Sequence, residues 1–203
     1  MISPALRLTA LGLALGLLAA TAGRGPADDK KVEVQVGDPS PVFNAKNHQD
    51  KTWSSSDHVG KKWVVIYFYP GDFTPGCTAQ AQKFRDNMNI LNDKGIAVVG
   101  VSGDTVPTHD LFKKVEKLNF TLLADEEGGV AKKFGVPLSK GGEVRAKDTL
   151  GKIVLLKRDV TAARWTFIVG KDGKIAYKNM KVTPAADAKQ ILEFVLKAEA
   201  KKE

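Results

Sequence analysis

An α/β sandwich around a mixed β-sheet is what the sequence predicts, on three observations. Two continuous runs of β-branched and aromatic residues, WVVIYFY (63–69) and IAVVGVSG (96–103), suit strands buried on both faces. Each is followed by a segment whose apolar residues recur every three or four positions, the spacing of a one-sided helix. The chain then ends in a hairpin pattern and one more amphipathic segment, an order that belongs to the α/β class.

The opening stretch, MISPALRLTALGLALGLLAATAG, stands apart from that pattern. It carries Arg7, an apolar run from Leu8 to Ala20, and the small-x-small sequence Ala20-Thr21-Ala22. We expect residues 1–22 to be a secretory signal cleaved after Ala22, because the run is shorter than the ~20 apolar residues of a membrane span. An uncleaved N-terminal anchor is the competing reading. Residues 23–31, GRGPADDKK, read as a linker, and 32–203 as one domain. No later segment is apolar enough to cross a bilayer, so the mature protein should have no membrane span. Export, in the first instance to a periplasm, is the expected location.

Within the domain, VEVQV alternates and reads as a short strand. A turn-rich stretch to Lys62 holds a short hairpin near Asn47–Gln49. After the strand 63–69, Pro70-Gly71-Asp72 breaks the run. Thr74 fits a helix N-cap and Pro75 the first helical position, and Ala81, Phe84, Met88 and Leu91 form the inner stripe up to a C-terminal Gly95. The strand 96–103 leads to a second helix in PTHDLFKKVEKLNF, then a short strand TLLAD and a short helix GGVAKKFG ended by Gly135. From Pro137 to about Lys152 no periodicity is visible and a loop is expected; IVLLKRD is a candidate extra strand. RWTFIVGKDGKIAYKNM reads as a hairpin turning at Asp172-Gly173. The last helix has Thr183 as its expected cap and Pro184 at its first position, with Ile191, Phe194 and Val195 inward.

The formal charge of +8 raises the possibility of a nucleic-acid partner. The lysines are spread along every segment with no basic–aromatic patch, which excludes that reading. Metal chemistry is excluded in the same way: His48, His58 and His109 have no ligand spacing to one another or to the single cysteine, Cys77. No cofactor is indicated.

Cysteines in exported proteins usually come in disulfide pairs, so one alone is either a protected filler or a reactive group. Cys77 lies in the first turn of its helix, where unpaired backbone N–H groups and the helix dipole favour a thiolate over the thiol, whose reference pKa is near ~8.5. Thr74 offers a hydroxyl one turn earlier. These features favour reactivity over a structural role.

PGDFTPGC, Pro70 to Cys77, resembles the Pro-x-x-x-Thr-x-x-Cys signature of peroxiredoxins, and TPGCTAQAQKFRDN is most similar to their bacterioferritin-comigratory, or Q-type, branch. The resemblance runs from about Val36 to the C-terminal helix and includes Arg-x-Thr-Phe at Arg164. It implies a thioredoxin-like fold, a central mixed sheet flanked by helices. It implies a thiol-dependent peroxidase in which Cys77 attacks the O–O bond of hydrogen peroxide or an organic hydroperoxide and becomes a sulfenic acid. Thr74 would hydrogen-bond the thiolate and peroxide, Pro70 would shield the sulfenate, and Arg164 would hold thiolate and peroxide by charge-assisted bonds. Backbone N–H groups at Gly76 and Cys77 would steady charge on oxygen. Gln80 either orients the site or is a solvated helix residue.

The sequence departs from the branch in one respect that bears on mechanism. Many members carry a second cysteine five residues after the first; here that position is Gln82. The chain thus resembles the 1-Cys form, its sulfenic acid reduced by an external thiol such as a thioredoxin or a small thiol. A monomer or weak dimer is expected. The rival functions are a redox-inert binding module or chaperone, and a disulfide oxidoreductase. The second wants Cys-x-x-Cys where this chain has Thr-x-x-Cys.

Overall fold

The computed structural model describes Met1 and residues 33–201. The expected signal (1–22) and linker (23–31) lie outside the described residues. The elements are β1 (Asn44–Asn47), β2 (Thr52–Ser54), β3 (Trp63–Phe68), α1 (Pro75–Asp93), β4 (Ile96–Ser102), α2 (Val106–Glu116), β5 (Thr121–Ala124), α3 (Gly129–Lys133), β6 (Leu138–Lys147), β7 (Ile153–Ala162), β8 (Trp165–Val169), β9 (Ile175–Asn179) and α4 (Asp187–Ala200).

Seven strands form one sheet in the order β2-β1-β5-β4-β3-β8-β9. The β3–β4 and β4–β5 pairs are parallel, whereas β8 runs antiparallel to β3, so the sheet is mixed as expected. Every residue of β3 is buried. Its alternation sends Trp63, Val65 and Tyr67 into a core with α1, α2 and α4, and Val64, Ile66 and Phe68 into a second core with α3 and the β1–β2 hairpin. A strand clothed on both faces needs no polar side, which is why its sequence is an unbroken apolar run.

Three local expectations are corrected. Of VEVQV, the described residues Glu33 to Val36 form no strand: Gln35 to Asp38 form a turn in which the Gln35 N–H donates to Asp38 Oδ2, and Gly37 and Asp38 bond to Ile175 instead. The stretch from Pro137 is not a loop. β6 and β7 pair antiparallel over Leu138–Lys147 and Ile153–Ala162 as a separate two-stranded sheet. Thr183 and Pro184 begin a 3-10 turn (Pro184–Ala186), and α4 itself starts at Asp187. Of the three residues placed inward on that helix, Ile191 and Val195 are buried, while Phe194 is half-buried against Tyr177.

Candidate active site

The chain order of the sheet delivers the site. β3 and β8 are antiparallel with Phe68 opposite Trp165, so the residue before β8, Arg164, arrives at the carboxyl end of β3. That is also where the chain turns into α1. Half-buried Pro70 follows Tyr69 at this end. Proline has no N–H to continue a ladder.

Cys77 lies in the first turn of α1 and is 1 % exposed. Arg164 Nη2 donates to Cys77 Sγ at 3.0 Å, and Arg164 Nη1 donates to Gln80 Oε1 one turn further along the helix. The guanidinium thus bridges the sulfur and an amide oxygen on one helix face, using two prongs of its fixed fork. The first backbone bond of α1 runs from Thr78 N–H to Thr74 O, so the amides of Gly76 and Cys77 lie ahead of the helical ladder. Gly76 has no side chain to part them from Arg164: a Cβ there would stand 3.4 Å from Nη2.

Thr74 occupies the N-cap position with extended backbone, but its hydroxyl does not cap the helix. It donates to Gly71 O at 3.0 Å. Its proton is committed to that carbonyl, so the expected hydrogen bond from Thr74 to the sulfur is not made here. The hydroxyl's lone pairs remain available to accept.

Gln80 is not a solvated residue. It is 0 % exposed, and its Nε2 donates to Asp187 Oδ2 at 2.7 Å. Asp187, at the start of α4, is also fully buried and accepts from Thr166 Oγ1 at 2.8 Å through the same oxygen. Its other oxygen, Oδ1, has no partner among the described residues. Burial pushes the Asp187 carboxyl up, and the Thr166 and Gln80 bonds and the Arg164 charge pull it back only in part.

A second buried network holds the loop between β3 and α1. Asp72 accepts from Tyr69 Oη at 2.7 Å and meets His109 Nδ1 at 2.7 Å, while His109 Nε2 faces Leu123 O at 3.1 Å. Both ring nitrogens face acceptors, so the imidazole is held as the cation against a carboxylate. Burial alone would depress His109, yet the Asp72 carboxylate, with the Asp104 charge and the Leu123 carbonyl, turns the net shift upward. Burial raises Asp72, with the His109 charge pulling it back. The Asp72 N–H donates to Asp104 Oδ2 at 2.8 Å, and Asp104 Oδ1 pairs with Arg158 Nη1 at 2.9 Å. Arg158 comes from β7 and its guanidinium fills the space over Gly71, where any Cβ would collide with it. The Pro70–Thr74 loop is therefore pinned by α2 on one side and by the β6–β7 hairpin on the other.

The sequence placed Cys77, Thr74, Gly76, Pro70 and Arg164, and the fold brings them to one end of β3. It did not single out Asp187, Thr166, Asp72, His109 or Asp104 for these roles. Gln82, five residues after Cys77, is tied to Glu116 of α2 at 2.8 Å. Among the described residues no group of three or more His, Cys, Asp or Glu is placed to hold a metal ion.

Comparison with known proteins gives three concordant findings. The AhpC/TSA family model matches residues 36–178. Peroxiredoxin Q, chloroplastic, of Populus jackii is 44% identical over 117 residues, which cover 58% of this chain and 54% of that protein. A putative peroxiredoxin bcp of Buchnera aphidicola is 42% identical over 144 residues, covering 70% of this chain and 82% of the relative. The chain thus spans a little over half the length of the first curated relatives it matches. Among solved structures, the bacterioferritin comigratory protein of Xanthomonas campestris, described in a study of its alkyl peroxide reduction, superposes with a TM-score of 0.62 at 30% identity. That match covers 78% of this chain and 92% of the other.

Proposed function

The chain belongs to the AhpC/TSA family, among its Q-type peroxiredoxins, and from that premise we propose that it is a thiol-dependent peroxidase acting through Cys77. The observation that carries this is the 3.0 Å bond from Arg164 to Cys77 Sγ in the first turn of a helix. A guanidinium donor and a helix N-terminus both favour sulfur as the anion.

In the proposed reaction the Cys77 thiolate attacks the terminal oxygen of ROOH. The O–O bond breaks, its electrons leave with RO⁻, which takes a proton to become ROH, and the sulfur is left as a sulfenic acid. Arg164 and the amides of Gly76 and Cys77 would meet the negative charge that moves from sulfur to oxygen. Thr74 would accept a hydrogen bond from the peroxide hydroxyl, and Pro70 would screen the sulfenate from water. One thiol then displaces water from the sulfenate to give a mixed disulfide, and a second releases Cys77 as thiol.

Cys77 is the chain's single cysteine, so the proposed reductant is external, a thioredoxin-like protein or a small thiol. The alkyl peroxide activity named for the Xanthomonas relative supports organic hydroperoxides beside hydrogen peroxide as substrates. No observation favours a redox-inert binding module. Among the described residues no helix is long and apolar enough to cross a membrane. We further propose, on the pattern of residues 1–22, that the chain is exported to a periplasm and cut after Ala22; N-terminal sequencing of the exported protein tests this.

Peroxide consumption by the reduced protein, supplied with a thioredoxin system or excess small thiol, tests the function. Turnover that disappears in Cys77→Ser is expected. Consumption no faster than the thiol alone would sink the proposal.

A further inference from the structure

Asp187 lies two hydrogen bonds from Arg164, the charged donor to the reactive sulfur. The chain of contacts is Asp187 Oδ2 to Gln80 Nε2, Gln80 Oε1 to Arg164 Nη1, and Arg164 Nη2 to Cys77 Sγ. Three of its four members are buried: Asp187 and Gln80 are 0 % exposed and Cys77 1 %, while Arg164 is half-buried. Burying a carboxylate with one oxygen unpartnered is costly, and a structural helix start needs no such group.

We propose that Asp187 is a positioning residue for Cys77: it fixes the orientation of the Gln80 amide and, through it, the guanidinium of Arg164. An amide end is nearly symmetric in shape, with an oxygen on one side and an NH2 on the other. Two neighbours compete to set it. A carboxylate can only accept, so it draws the NH2 of Gln80 to itself and turns Oε1 toward Arg164, which can only donate. Thr166, from β8, donates to the same oxygen and holds the carboxylate in place. With the acceptor gone, nothing opposes a flipped amide, whose NH2 would face the guanidinium and push it off the sulfur.

The role joins three distant parts of the chain. α4 supplies the acid, α1 the amide and thiol, and the residue before β8 the cation. The loss of one charge-assisted hydrogen bond to the sulfur corresponds to about tenfold in thiolate reactivity.

The inference rests on the peroxidase reading only for its purpose, so its test uses no peroxide. The rate of Cys77 alkylation by iodoacetamide at neutral pH is compared in wild type, Asp187→Ala, Asp187→Asn, Gln80→Ala and the Asp187→Ala/Gln80→Ala double variant, each confirmed folded by circular dichroism. Asp187→Ala should slow alkylation about tenfold. Asp187→Asn, which keeps an acceptor oxygen for Gln80 and Thr166, should recover most of the loss. In the Gln80→Ala background, removing Asp187 should have no further effect. Asp187→Ser, too short to meet the amide, takes the place of the alanine variant should that one not fold. An unchanged rate in Asp187→Ala, an asparagine variant no better than alanine, or additive losses in the double variant would each overturn the proposal. Normal coupling in a protein that ignores peroxide would overturn the peroxidase reading and leave this one standing.

Discussion

At Cys77 one side chain among the described residues, Arg164, supplies the positive charge, and that makes its removal the sharpest residue-scale prediction. Arg164→Met should lower the rate constant for peroxide oxidation of Cys77 by about a hundredfold, the usual cost of losing one preorganised donor to a charge-bearing atom. Arg164→Lys keeps the charge but not the fork that spans sulfur and Gln80, so it should fall between wild type and methionine. Stopped-flow oxidation of the three proteins gives the order; equal rates would remove Arg164 from the mechanism. Thr74 was read from its position as a cap, and from the family resemblance as a hydrogen-bond partner of the sulfur; the fold commits its proton to Gly71 instead. Asp187 was not legible at all, because an aspartate opening a helix reads as an ordinary first-turn acid. Its partner Gln80 is 107 residues away, and no local pattern carries that pairing.

At the scale of elements, the β3–α1 loop is held by two buried ion pairs, and each gives a measurable consequence. Phe73 in this loop has φ of 60°, a strained backbone that neighbouring contacts must hold. The raised His109 and Asp72 values mean the folded pair binds protons more tightly than the unfolded chain. The stability from His109 is therefore fully present below its unfolded value near ~6.5 and is lost as pH rises through the raised folded value. Thermal melts from about pH 6 to 9 should show a falling midpoint in wild type and a flatter one in His109→Gln. Parallel curves would assign the pH dependence elsewhere. Arg158→Met leaves Asp104 buried without its ion-pair partner, and should cost about 3–5 kcal/mol in urea denaturation. A loss below about 1 kcal/mol would mean that the hairpin does not latch the loop. The strand carrying Arg158 was only partly visible in sequence, and its partner β6 not at all. Gly141-Gly142 interrupts the alternation of β6, and exposed Arg145 and Lys147 face exposed Leu155 and Ile153 across the hairpin, so no polar and apolar faces separate.

For the whole molecule, the sheet was the most legible feature because its two central strands are buried on both faces and their sequences have no other use. The strand order was not written in any segment. It comes from β8 returning antiparallel to β3, and that return carries Arg164 to Cys77 across 87 residues. A single cysteine also fixes a whole-chain property: no disulfide can close within the molecule. Peroxide without a reductant should give sulfenic and then more oxidised Cys77, or a bridge between two chains, on non-reducing electrophoresis. The most direct test of the proposed chemistry is a single turnover. Reduced protein is mixed with one equivalent of hydrogen peroxide, quenched with a sulfenic-acid trap, and read by intact mass beside Cys77→Ser. A trap-sensitive gain of one oxygen, complete within seconds and absent from the serine variant, is the result expected for a peroxidatic Cys77. Oxidation no faster than that of a free thiol would contradict it.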